Sequence, residues 1–137
     1  MVFWSPSRSR GFHSRLPDTT DSIFYWEALA VVSAIDWASH LTDMRPHRLL
    51  VYCDNTNTVD MFNTLHAQPP YNLLLKFAID RLIHTGIDLH VVHLAGIDNG
   101  VADALSHFQE PCASALHPGL RTSTFLPPRD AMGASEL

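Results

Sequence analysis

The segment from Ile23 to about Leu41 is apolar on nearly every side of the helix that it predicts. Glu27 is the one acidic residue in the first half of this segment. A helix without a polar face must be covered by other structure over most of its surface, and a β-sheet commonly supplies that cover. The chain therefore requires a sheet that packs on this helix, which we expect to begin at a capping residue, Asp21 or Ser22.

Strand-like and helical patterns alternate along the rest of the chain. Two buried strands are predicted from Arg48 to Asp54 and from Ile87 to Leu94, and a hairpin with a turn at Pro6 and Gly11 is predicted near the start. Helical patterns run from Asn55 to Leu65, from Tyr71 to His84 with Gly86 as C-terminal cap, and from Asn99 to Phe108. This alternation predicts an α/β fold, a mixed sheet flanked by helices, in which the later strands are parallel.

Composition narrows the class of protein. With 137 residues, 46% apolar and 17% charged, the chain suits one globular domain, which we place at residues 1–108. Residues 109–137 are rich in Pro, Ser and Ala without periodicity and predict a linker or disordered tail.

No apolar run reaches the roughly 20 residues that span a bilayer, so no membrane partner is expected. Two cysteines and no visible secretory signal predict a reducing, intracellular compartment, cytoplasmic or nuclear. The net charge of −5 argues against autonomous tight binding to nucleic acid.

Three acidic residues occupy positions that suit a binding site, and each also has a plainer reading. Asp54 ends a predicted parallel strand, where open sheets place ligands, but Asp54 or Asn55 could instead cap the next helix. Glu27 lies among apolar helical neighbours and either faces a cation or is a partly exposed acid at the helix edge. Asp103 lies in the first turn of a helix, where acids are common because the helix dipole favours them.

The three acids come from successive elements and could converge at one end of the sheet. A site made of carboxylates alone suits a hard cation such as Mg²⁺. The sequence contains no zinc-type Cys/His cluster, no H-E-x-x-H, no phosphate-binding glycine loop and no G-x-S-x-G. These absences favour a magnesium site over the other common catalytic classes.

Three motifs resemble the ribonuclease H domains of retrotransposon polyproteins, in particular those of fungal tyrosine-recombinase-type retroelements. The motifs are FYWEALA around Glu27, CDNTNTV around Asp54 and HLAGIDNGVADALS from His93 to Ser106. The resemblance implies that Glu27, Asp54 and Asp103 bind Mg²⁺, two ions in the complete site, and that His93 assists product release. It also implies an RNA–DNA hybrid as the substrate, whose RNA strand is cleaved.

The chain departs from this family at its first strand. Family members begin with a central strand that carries a catalytic Asp, whereas this chain begins about where their second strand starts, so the sequence looks N-terminally truncated. Because the first Asp normally bridges both ions, we expect one ion or none here and little or no nuclease activity. Asp18 and Asp21 are the nearby acids that could substitute, but loop and capping roles explain them better.

The absent strand leaves three expectations for the sheet. Its neighbours could pair directly, borrow a strand from another chain or remain loose. The preferred interpretation is therefore a truncated, inactive ribonuclease H-like domain. The alternatives are an active enzyme with a mis-assigned start, a non-catalytic interaction module that self-associates or pairs through an exposed strand edge, and a different nuclease or integrase of the same broad fold.

Overall fold

The fold is mixed α/β, as the sequence predicts. The computed structural model describes residues 1–14, 23–41, 47–95, 98–107, 109–125 and 127–128. Within these ranges the strands are β1 (Val2–Ser5), β2 (Arg10–His13), β3 (Arg48–Cys53), β4 (Asp88–His93) and β5 (Arg121–Thr124). The helices are α1 (Ile23–Ser39), α2 (Thr56–Thr64), α3 (Asn72–Thr85), α4 (Gly100–Ser106) and α5 (Glu110–Leu116), with a 3₁₀ turn at Pro69–Tyr71 before α3.

The described strands form two separate sheets. In the first, β1 pairs antiparallel with β2, and β2 pairs parallel with β5. In the second, β3 and β4 are parallel, with Arg48 opposite Asp88 and Cys53 opposite His93. The predicted hairpin and the parallel later strands are both confirmed. Direct pairing of β1 with β3, one of the three expectations for the sheet, does not occur among the described residues.

Helix α1 supplies the centre of the main core, as its apolar sequence requires. Leu29, Val32 and Ile35 are fully buried there together with residues of α2, α3 and the second sheet. Near its C-terminal end, Trp37 contacts the first sheet, where its ring lies 5.4 Å from Phe12 and 6.0 Å from Phe3. One helix therefore packs against both sheets.

The ends of the elements follow local chemistry. Asn55 caps α2, because its side-chain oxygen accepts a hydrogen bond of 3.1 Å from the backbone N–H of Thr58. Gly86 ends α3 with φ of 69°, a left-handed conformation that suits glycine. The predicted start of α1 at Asp21 or Ser22 lies outside the described residues. None of the helices in the described ranges has the length and apolar character needed to cross a bilayer.

The structure differs from the expected tail in residues 109–125. Helix α5 and strand β5 lie there, and Ala113 is fully buried in a second apolar cluster with Val101, Ala104 and Leu105 of α4. The sequence gives little sign of this, because α5 is short and β5 (RTST) has no large apolar residue. These residues extend the fold past the boundary expected at residue 108, while residues 129–137 of the expected tail lie outside the described ranges.

A matched pair of substitutions tests whether α5 is packed. We expect Ala113→Asp to lower the free energy of unfolding by at least about 2 kcal/mol, because it buries a carboxylate in an apolar cluster. Ala115 is exposed on the same helix. Ala115→Asp should cost less than about 1 kcal/mol, mostly through helix propensity. Urea unfolding followed by circular dichroism measures both, and equal costs would mean that α5 does not pack on α4.

Candidate functional site

Glu27 and Asp54 come together where α1 passes the end of β3. One ligand atom from each of Glu27, Cys53 and Asp54 lies within 4.8 Å of the other two. Asn55, and not Asp54, caps the N-terminus of α2. The exposed carboxylate of Asp54 therefore faces Glu27 instead of the helix end. The local sequence produces this arrangement because β3 ends at Cys53, directly before Asp54.

The proximity of the two carboxylates changes the protonation of Glu27. Partial burial, the charge of Asp54 and a hydrogen bond with the Asp54 side chain together raise the pKa of Glu27 from 4.5 to about 7, and burial is the largest of these causes. Burial disfavours a charged carboxylate, and a neighbouring anion adds to this effect. At neutral pH the pair therefore holds less negative charge than two independent carboxylates would.

Cys53 belongs to this cluster, although its apolar sequence context does not mark it as a site residue. The side chain is buried, and its thiol points to the backbone oxygen of Asn55 at 3.8 Å. Burial raises the pKa of the Cys53 thiol to about 11, so the sulfur is protonated at neutral pH. Its position beside Asp54 was the available signal, but a cysteine in an apolar strand is usually a packing residue.

Asp103 shares a cavity with the carboxylate pair. This cavity, which we call the carboxylate cavity, has a volume of about 500 Å³ and is lined by Glu27, Asp54 and Asp103 together with residues of β1, β3 and α4. The Asp103 side chain is 72% exposed, and its carboxylate lies 3.5 Å from Nε2 of His107. Asp103 is outside the tight cluster of Glu27, Cys53 and Asp54. The structure therefore brings the three predicted acids to one cavity but only two of them into direct proximity.

The fourth predicted site residue, His93, lies outside the carboxylate cavity. It ends β4 opposite Cys53, and its side chain is exposed. It is not among the residues that line the carboxylate cavity. Asp18 and Asp21, the acids considered as substitutes for a missing ligand, lie outside the described residues.

The donor atoms of this cluster suit a hard divalent cation. Two carboxylates within reach of each other offer the oxygen ligands that Mg²⁺ prefers. The raised pKa of Glu27 reflects burial and an uncompensated carboxylate neighbour, which a bound cation would offset. The protonated Cys53 thiol is a poor ligand, because metals bind the thiolate form.

Comparisons of this chain with protein-family models, with curated proteins and with solved structures found no match.

The raised pKa of Glu27 predicts a dependence of stability on pH. Between pH 4.5 and about 7 the folded protein holds a proton on Glu27 that the unfolded chain releases. The free energy of unfolding therefore falls as pH rises through that window. Above pH 7, where Glu27 is ionised in both states, this loss of stability is complete. The variant Glu27→Gln removes it. We expect E27Q to gain free energy of unfolding relative to the wild type between pH 4.5 and pH 8, in denaturant titrations without divalent cations. A difference that stays constant with pH would contradict the shift.

Proposed function

We propose that this chain is a ribonuclease H-like domain of retroelement type with an incomplete site. In this proposal Glu27, Asp54 and Asp103 bind a divalent cation such as Mg²⁺. The ancestral activity is hydrolysis of the RNA strand of an RNA–DNA hybrid, and the chain by itself has little or no such activity.

The observation that carries the proposal is the shared position of the three acids. They come from α1, from the end of β3 and from α4, which are far apart in sequence, yet all three line the carboxylate cavity. Neighbouring carboxylates repel one another, and a bound cation would offset this repulsion. The resemblance of the three motifs then supplies the identity of the chemistry.

The residues have distinct roles in this proposal. Glu27 and Asp54 hold the cation directly, since their oxygens are already close, and Asp103 contributes from the α4 wall of the cavity. When bound, the cation would activate a water molecule and stabilise charge on the phosphate group. The resemblance assigns product release to His93, which lies opposite Cys53 at the end of β4 and outside the carboxylate cavity.

The proposed lack of activity follows from the number of acids. Two-metal hydrolysis needs two cations about 3.5–4 Å apart, held by ligands that bridge them. Among the described residues, the carboxylate cavity contains no fourth acid beside Glu27, Asp54 and Asp103. Three acids, one of them outside the close cluster, favour a single weakly held cation over the pair that the reaction requires.

Cation binding tests the first half of the proposal. We expect isothermal titration with Mg²⁺ or Mn²⁺ to show one site. Glu27→Gln and Asp54→Asn should each weaken it about tenfold or more, about 1.4 kcal/mol, because each removes a charged ligand. The exposed Asp60→Asn, on α2 and outside the cavity, is the matched control. Cys53→Ala should leave Mg²⁺ affinity nearly unchanged. Equal affinities for wild type, E27Q and D54N would contradict the site.

A cleavage assay tests the second half. A labelled RNA–DNA hybrid incubated with the protein and Mg²⁺ should stay intact at enzyme concentrations well above those of a turnover assay. The physical reason is that the three acids of the described cavity are too few to hold a second cation beside the first. Mg²⁺-dependent cleavage that disappears in E27Q would contradict the predicted inactivity and would support an active enzyme instead.

A further inference from the structure

A long groove separates the two sheets. Strand β1 forms one rim and strand β3 the other, and the space between them measures about 1130 Å³. This exceeds the roughly 300–1,000 Å³ of most small-molecule pockets. We call it the intersheet groove. It runs into the carboxylate cavity, since Val2, Phe3, Val51 and Tyr52 line both spaces.

Both rims turn unused backbone groups toward the groove. Met1 and Ser14 exchange backbone hydrogen bonds, and in an antiparallel pair every second residue of a strand bonds to its partner strand. Phe3 therefore bonds to β2, whereas the N–H and C=O groups of Val2 and Trp4 point to the opposite edge of β1. On β3, the carbonyl of Cys53 accepts a hydrogen bond from the N–H of Leu94, directly after β4, so alternation turns the backbone groups of Leu50 and Tyr52 toward the groove.

The two rims run in opposite directions. The start of β1 shares the carboxylate cavity with the end of β3, whereas Ser5, at the end of β1, and Arg48, at the start of β3, both line the intersheet groove. A strand lying between them would therefore be parallel to one rim and antiparallel to the other. The lengths of β1 and β3, four and six residues, set the length of chain that could pair.

The walls of the groove are apolar on both faces. Ala34, Trp37 and Leu41 line it from α1 and the residues after it, and Val101, Ala102 and Leu116 line it from α4 and α5. A strand between such walls would meet apolar side chains on both of its faces, so a mostly apolar segment suits the groove better than strict alternation of apolar and polar residues.

Positively charged side chains gather at one end of the groove. Arg48 begins β3, and Arg10 begins β2 opposite both Ser5 and Arg121. All three arginines line the groove, and within the described ranges none of the three forms an ion pair. Asp98, which is exposed, also lines the groove. The arginine end therefore favours an acidic residue in the occupant.

We propose that the intersheet groove binds one extended segment of another polypeptide, four to six residues long, apolar on both faces and acidic at the end beside Arg48. The segment completes a continuous sheet by pairing with Val2 and Trp4 on one side and with Leu50 and Tyr52 on the other. This is strand addition at two edges at once, and the main-chain hydrogen bonds supply affinity while the walls select side chains.

A folded second copy does not fit this groove. Each described strand of this chain already pairs with a neighbour along one edge. A strand that carries a neighbour cannot enter between two rims and pair with both. The occupant is therefore a segment with two free edges, which a folded protein offers in an extended terminus or loop.

Synthetic peptides test the proposal on the full chain, in EDTA so that the result is independent of the proposed cation site. The probe is a fluorescein-labelled peptide, Glu-Val-Ile-Val-Ile-Thr, with its reversed sequence to cover both strand directions. The first control, Glu-Val-Pro-Val-Pro-Thr, keeps charge and apolar character but loses backbone donors. We expect fluorescence anisotropy to show binding of one probe direction and at least about tenfold weaker binding of the proline peptide.

Two protein variants locate the site. Arg48→Glu, at an exposed position, should weaken binding of the probe several-fold. The same variant should bind more tightly a version of the probe that begins with Lys in place of Glu. Ala102→Trp should block the groove, whereas Ala115→Trp, exposed on α5, should not. Equal binding of the proline peptide, or no binding at about 1 mM probe, would overturn the proposal. So would binding that is unchanged in both Arg48→Glu and Ala102→Trp, or a concentration-dependent dimer that the probe does not dissociate.

Discussion

Helix α1 joins two sheets that share no backbone hydrogen bonds in the described part of the chain. Its body is buried with β3, α2 and α3, while Trp37 near its end packs on Phe3 and Phe12 of the first sheet. A continuous sheet would be held by the ladder between its strands, and here side-chain packing must replace that ladder. The positions of both rims therefore depend on the apolar surface of one helix.

This arrangement also explains why the groove and the carboxylates occur together. Glu27 lies on the same helix that supports both sheets, and Asp54 follows the strand that forms one rim. The space left between β1 and β3 ends at these two side chains. A segment bound in the groove would approach the carboxylate cavity, so strand addition and cation binding would take place in adjoining parts of one cleft.

Much of this could be predicted from the sequence because its signals are local. Hydrophobic patterns predicted α1 and the parallel pair β3 and β4, and Gly86 predicted the end of α3. Glu27, Asp54 and Asp103 were selected by their positions on the predicted elements and by the resemblance of their motifs. The helix and strand in residues 109–125 could not be predicted from the sequence. Helix α5 is short, and β5 forms by pairing with β2, which is distant in sequence, so neither element produces a periodic hydrophobic pattern. The place of Cys53 in the cluster could not be predicted for a similar reason, since its proximity to Glu27 arises from tertiary packing.

Strands β1 and β3 border an open groove instead of closing into one sheet. Amide hydrogen exchange of the free protein, followed by NMR, distinguishes the two arrangements, because alternate amides of β3 differ in partner while sharing the same strand. Leu50 and Tyr52 should exchange at least about tenfold faster than Val51 and Cys53, whose amides bond to β4. Equal, strong protection along the whole of β3 would mean that its outer edge is paired and that the groove is not open.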